Sequence, residues 1–266
     1  MKSRARAARA LAAWALTVAA GVAGCTEIST SPAHVASLQF DALPSPAVVA
    51  GDTLRDSLGL AASLGAVAFD GTGTPIAGAP IQYIALDTGV TIAAGGILTA
   101  QIRSGSVRLM ASAGGVQTRP ITLLIARRPD TVAFAAAARD TVDYVLPDNP
   151  AVNSSIELAA RVVTYDTAGG ITATQGWRVS FQAVFRGAVV APGDTSVVFL
   201  TSNGTQRSQL DTTGADGTAS RRLRVRPIGI TAAAVDSVTV LATVRYRGAQ
   251  VRGSPLRFVI LLRPKQ

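Results

Sequence analysis

Residues Ala66 to Leu86 read AVAFDGTGTPIAGAPIQYIAL. Four residues, AVAF, make a short apolar run that breaks at Asp70. Gly73 follows three positions later, Pro75 and Pro80 bracket small residues, and IQYIAL resumes the apolar character. Short apolar runs separated by Asp, Gly and Pro predict strand, turn, strand. Asp bonds to the backbone just ahead of it, and Gly takes the positive φ a tight turn demands. Prolines without an N–H belong at strand starts and edges.

The same grammar returns at Arg161 as RVVTYDTAGGITATQGWRVSF. Phe69-Asp70 corresponds to Tyr165-Asp166, Gly73 to Gly169, and the aromatic strand around Tyr83 to the one carrying Trp177 and Phe181. Later, GGILTAQIRSGSVRLMASAGG parallels TTGADGTASRRLRVRPIG. Recurrence at this spacing predicts tandem modules. Nearly everything after residue 35 reads as such strands, from ASLQF to LRFVILL, and the regular spacing favours β-sandwiches. Alanines between Phe134 and Asp140 are the one helical-looking segment, and they do not outweigh the strands around them. In WRVSFQAV, Trp177, Val179, Phe181 and Ala183 share one face and Arg178, Ser180 and Gln182 the other. That is a half-buried strand with Trp177 in the core. The polar, Pro-containing ARRPDTV, Ala126 to Val132, is the expected seam. It divides a first domain, 35–127, from a second, 128–266.

These motifs resemble the bacterial Ig-like domains of invasins, intimins and surface lipoproteins. VVAGDTL followed by AVAFDGTGTPIAGAPIQY carries the pattern through Gly51, Asp52, Thr53, Asp70, Gly73, Pro75, Gly78 and Pro80. TTGADGTASRRLRV resembles its later part. A Trp common in that family is Tyr83 here, and the second module lacks the prolines. DYVLPDNPAVNSS and RGAVVAPGDTSVV read as insertions or extra strands in it. The resemblance implies an all-β chain of two Ig-like sandwiches acting in adhesion, spacing, or protein or glycan interaction at the cell envelope.

The N-terminus gives an address. Lys2, Arg4, Arg6 and Arg9 precede an uncharged run from Leu11 to Ala23. That is the n-region and h-region of a secretory signal, too short for a confident membrane span of about 20 residues. Val22, Ala23 and Gly24 lead into Cys25, the single cysteine of the chain. This resembles the lipobox of bacterial lipoproteins. Carried over, residues 1–24 are a cleaved signal peptide and Cys25 is the first mature residue and the lipid anchor. A thiolate is the nucleophile such a modification needs, and several acyl chains anchor stably where one is marginal. An ordinary signal peptide with a chance cysteine is the plainer alternative. Thr26, where inner-membrane lipoproteins carry Asp, implies the outer membrane. Residues 25–34 are then the lipidated N-terminus and a polar linker.

Composition narrows the chemistry. The chain carries 25 basic and 16 acidic residues. Four of the basic ones lie in the signal segment, which leaves a milder excess. Without a second cysteine there is no disulfide or thiolate metal site. His34, the one histidine, sits beside the linker and reads as solvent-exposed rather than catalytic. The two glutamates, Glu27 and Glu157, do not suggest a carboxylate pair, and most aspartates lie in turn contexts. No enzyme activity, cofactor or metal is expected. For a Ca²⁺ site at the seam, Asp130, Asp140 and Asp143 are the nearest candidates, against the plainer reading of loop solubility.

Basic residues concentrate toward the C-terminus. Arg222, Arg224 and Arg226 alternate along RRLRVR, with Leu223 and Val225 toward the core, and Arg245 and Arg247 alternate in VRYRG. If those strands pair, they present an arginine face suited to anionic glycans or acidic lipid. The alternative is a solvated outer face that keeps edge strands from pairing with other chains. Nucleic acid is disfavoured by compartment and by the lack of interleaved exposed aromatics. An envelope carbohydrate-binding module, a small hydrolase on a β-scaffold and a subunit of a surface complex remain as other readings.

Overall fold

The computed structural model describes residues 34–102, 104–202, 206–228, 230 and 235–265. The signal segment and Cys25 lie outside the described residues. The described residues contain strands and turns and no helix. The first half holds β1 (Ser37–Phe40), β2 (Ala47–Val49), β3 (Ala66–Phe69), β4 (Gln82–Ala85), β5 (Val90–Ile92), β6 (Leu98–Ala100), β7 (Gly105–Ala113), β8 (Val116–Gln117) and β9 (Ile121–Ala126). The second half opens with β10 (Thr131–Phe134), β11 (Arg139–Tyr144), β12 (Leu158–Tyr165), β13 (Ile171–Ala173), β14 (Arg178–Phe185), β15 (Ala188–Val189) and β16 (Val198–Ser202). It continues with β17 (Gln206–Arg207), β18 (Leu210–Thr212), β19 (Thr218–Val225), β20 (Asp236–Thr243), β21 (Arg245–Tyr246), β22 (Ala249–Gln250) and β23 (Leu256–Pro264). The alanine-rich segment ends one strand and begins another, since Phe134 closes β10 and Arg139 opens β11.

Among the described residues, no strand pairing crosses residues 127–130. Before them, β2-β9-β7-β4 form one sheet, with β8 on β7, faced by the ribbons β1-β3 and β5-β6. After them lie two larger sheets, β10-β12-β19-β16-β17 and β11-β23-β20-β14-β15, with β13 and β18 added beside them. Period-2 alternation builds the second sandwich. Leu158, Ala160 and Val162 of β12 and Leu223 and Val225 of β19 meet Phe181 and Ala183 of β14 and Phe258, Ile260 and Leu262 of β23 in one core. Trp177 is buried in that core, as its strand pattern predicts. The first module's core is smaller, centred on Leu54, Leu98, Leu109 and Leu123.

Both modules begin in the same way. A first strand pairs antiparallel in one sheet, β1 with β3 and β10 with β12. The next strand crosses to the opposite sheet and pairs parallel with the module's last strand, β2 with β9 and β11 with β23. The recurring turns are also alike. Asp70 Oδ1 accepts the Thr72 and Thr74 amides, and Asp166 Oδ1 accepts those of Ala168 and Gly170. Gly73 and Gly169 both sit at φ 82° and each donates its N–H to the carbonyl of the turn's aspartate at 3.1 Å. A second pair of glycines, Gly96 and Gly217, holds φ 81° and 76°. Their carbonyls accept the Leu64 and Val162 amides at 2.9 and 2.8 Å.

Two measurements probe this architecture. Phe181→Ala removes a fully buried ring and is expected to cost about 3–5 kcal/mol in chemical denaturation. Gly73→Ala and Gly217→Ala should separate. Both put a Cβ into the left-handed region, at a cost of about 1–2 kcal/mol, yet a Cβ at Gly73 meets nothing within 4 Å while one at Gly217 falls 2.6 Å from the Val162 carbonyl. Gly217→Ala should therefore be clearly the more destabilising; equal midpoint shifts would contradict the placement of that turn.

Candidate functional site

The most elaborate polar arrangement lies where the two modules meet. Asp52 follows the turn closed by its own amide, which donates to the Val49 carbonyl at 2.9 Å. Its carboxylate is 6 % exposed. From the same loop, Arg55 Nε and Nη2 donate to it at 2.9 Å each. From the other module, Arg247 Nε donates to Oδ2 at 3.1 Å. Arg247 sits at the β21–β22 hairpin turn with φ 51°, a left-handed conformation that non-glycine residues rarely adopt. Burial alone would raise the Asp52 carboxyl. The bonds from Arg55, Arg247 and the Thr53 amide overcome that and hold it well below the usual carboxylate range.

Aromatic and backbone contacts surround this cluster. The Tyr246 ring packs edge-on against Trp177 at 6.0 Å, and the guanidiniums of Arg55 and Arg247 lie 5.9 and 5.4 Å from its centroid. Arg178 Nη2 donates to the Leu43 carbonyl across the boundary at 3.0 Å. Val49 of the first module joins the second module's core. A narrow recess here is floored by Ala47, Val49 and Trp177 and rimmed by Arg55, Asp56, Arg178 and Arg245.

The arginines singled out in the sequence do not share one face. Arg222 and Arg224 lie on β19 and Arg226 just beyond it, whereas Arg245 and Arg247 belong to the β21–β22 hairpin. Neither β21 nor β22 pairs with β19. Each arginine has its own neighbours. Arg222 pairs with Glu157 at 3.2 Å. Arg224 is 4 % exposed and grips both Asp148 oxygens at 2.7 Å. Arg226 donates to the Thr195 carbonyl and lies over the Phe199 ring. Arg245 donates to the Gly248 carbonyl, and Arg247 to Asp52. DYVLPDNPAVNSS is what covers Arg224: Asn153 bonds to both backbone groups of Val145 and to Asp148, folding the loop over β19.

Arg221 has a role that alternation did not reveal. It shares the core-side parity of Leu223 and is buried. It donates to Ser208, Leu210 and Ser220 and pairs with Asp211 at 3.0 Å, tying β19 of one sheet to β18 of the other. The signal was present in the adjacent pair Arg221-Arg222, because two neighbours on a strand must point to opposite faces. The three seam carboxylates do not converge. Asp130 pairs with Arg128 and accepts the Tyr165 amide, Asp140 accepts the Ile156 amide, and Asp143 pairs with Arg263. His34 is exposed at the start of the described chain, and Cys25 lies outside it.

No protein-family profile matches the chain, and no curated protein matches it. Among solved structures it is similar to the Escherichia coli adhesin FdeC, with 18 % identity over 84 % of this chain and 63 % of that one, TM-score 0.30. It is similar to the Yersinia pseudotuberculosis adhesin InvE, with 18 % identity over 85 % of this chain and 58 % of that one, TM-score 0.31. It is also similar to domains 5–6 of the S-layer protein SbsC, with 12 % identity over 87 % of this chain and 99 % of that one, TM-score 0.28. The chain thus spans under two thirds of either adhesin. Scores this low add nothing to the fold already described.

The Arg224–Asp148 pair yields a test. Burial would raise the Asp148 carboxyl, but the bonds from Arg224 and Asn153 outweigh it and leave it lowered. A lowered carboxylate stabilises the fold above its unfolded value of about 3.9, and the benefit fades as pH falls through the lower folded value. Asp148→Asn strands a buried guanidinium and is expected to cost about 2–4 kcal/mol at neutral pH. In denaturation midpoints, the gap to the parent should shrink below about pH 4. A gap independent of pH would show that the charge of Asp148 is not what supports Arg224.

Proposed function

We propose that this chain is a non-enzymatic envelope lipoprotein whose two Ig-like modules, 35–127 and 128–266, act as a spacer that holds a contact surface away from the outer membrane. One observation carries the reading: the chain enters at one pole and leaves at the other. Val35 packs beside Gly114 at the end of the first module remote from the joint. Ala126 ends β9 at the joint, and β23 runs from there to Pro264, beside Tyr144 at the far pole. A tether at Cys25 therefore keeps the whole length of both modules between membrane and far pole. The nine residues of β23 span about 30 Å at 3.3 Å each, so two modules in series reach on the order of 70 Å.

The far pole offers apolar side chains to an envelope protein. Leu146 and Ile228 are 64 % and 75 % exposed there. The chemistry of the chain favours contact over catalysis. The carboxylates with lowered pKa are committed to ion pairs or turns: Asp52 and Asp148 to arginines, Asp87 to Arg108, and Asp70, Asp194 and Asp216 to the amides just ahead of them.

Intact mass and membrane fractionation of the natively expressed protein, beside Cys25→Ala, test the proposal. The expected result is a lipid-sized mass gain on a chain beginning at Cys25, lost in the variant together with membrane association. A wild type that is unlipidated and freely soluble would overturn the anchor, leaving a secreted or periplasmic binding module.

A further inference from the structure

We propose that the joint between the modules is a latch that makes them one rigid body, closed by Arg247 of the second module on Asp52 of the first. Two modules joined by a short linker would otherwise move independently, which is the default for small, polar interfaces within a chain. Here the linker itself is bound down on the second module. The Asp130 amide donates to the Val163 carbonyl, the Thr164 hydroxyl donates to the Arg128 carbonyl, and Asp130 Oδ2 accepts the Tyr165 amide. That leaves only Arg127 between the end of β9 and the bound-down stretch.

Three further attachments come from two places, the entry to β14 and the β21–β22 turn. Gly176, before β14, lies against Ala47 and Leu124, so that an added Cβ would fall 3.0 Å from each. Gly59 sits so close to the β21–β22 turn that an added Cβ would be 2.6 Å from the Gly248 nitrogen. Arg178 reaches the Leu43 carbonyl. Each of these is one close approach or one hydrogen bond, and none by itself fixes the angle between the modules. Arg247 completes the set. Its left-handed backbone stores strain, and its side chain is 58 % exposed with the pair to Asp52 formed. Asp52, already oriented by Arg55 and by the Thr53 amide, is the group that holds it there. Arg55 fixes the carboxylate before Arg247 arrives, so closure orders little besides the Arg247 side chain itself.

This inference concerns the joint alone and stands or falls separately from lipid anchoring. The test is the interlabel distance distribution in the full chain carrying Cys25→Ser, with spin labels on Thr122→Cys and Ser237→Cys, one exposed position in each module. A latched chain gives one narrow distribution. Arg247→Ala and Asp52→Asn are each expected to broaden it about twofold, and the double variant no further than either single one. Because Asp52→Asn also disturbs its own loop, Arg247→Gly is the cleaner variant. Glycine keeps the positive φ without strain and removes only the arm. It should broaden the distribution while amide exchange in β14 and β20 stays as slow as in the parent. A parent already broad, or Arg247 variants that leave it narrow, would overturn the latch. So would accelerated exchange in Arg247→Gly, which would mean that the contact holds the second module together rather than the two modules to each other.

Discussion

Among the described residues, each long strand carries an apolar face, and that face must be covered by another sheet. That constraint sets the rest. It places Phe181, Phe258, Leu223 and Leu158 in one shared core, and it forces the alternate residues outward. It also explains why turns are so uniform. Strands of fixed length facing each other leave little room for the chain to reverse, and Asp with Gly meets that need in both modules at Asp70–Gly73 and Asp166–Gly169.

The same constraint determines where arginine is placed. A guanidinium on a long stem can satisfy several acceptors at once, so it closes places where two sheets or two modules approach with backbone groups unmet. Arg221 does this between sheets, Arg224 beneath the Asp148 loop, and Arg247 between modules. Part of the charge that composition presents as a field is internal bracing, with Arg221 and Arg224 buried. Local carboxylates absorb it, as Asp211, Asp148 and Asp52 show.

The strands, the paired turns and the burial of Trp177 were legible in the sequence because they depend on period-2 alternation and on residues adjacent in the chain. The two-sheet layering followed from the same pattern. The arginine arrangement was not legible, because alternation gives a side chain's face and not what lies above it. Arg224 has the parity of an outward residue, yet a loop beginning about 80 positions earlier folds over it. The joint escaped for the same reason. Asp52 reads as a turn residue and Arg247 as one of a charged run, and only tertiary structure brings positions so distant within 3.1 Å.

The parallel pairing of each module's second strand with its last has a mechanical consequence. A load applied between the Val35 end of the first module and the far pole pulls β11 toward the joint and β23 away from it. Their six paired positions lie side by side across that load, so their bonds resist together in shear instead of opening one by one as in a peeled hairpin. β2 and β9 stand in the same relation in the first module, over three positions. The first module, with the shorter clamp and the smaller core, is therefore the one that yields first under tension, while the second keeps its shape.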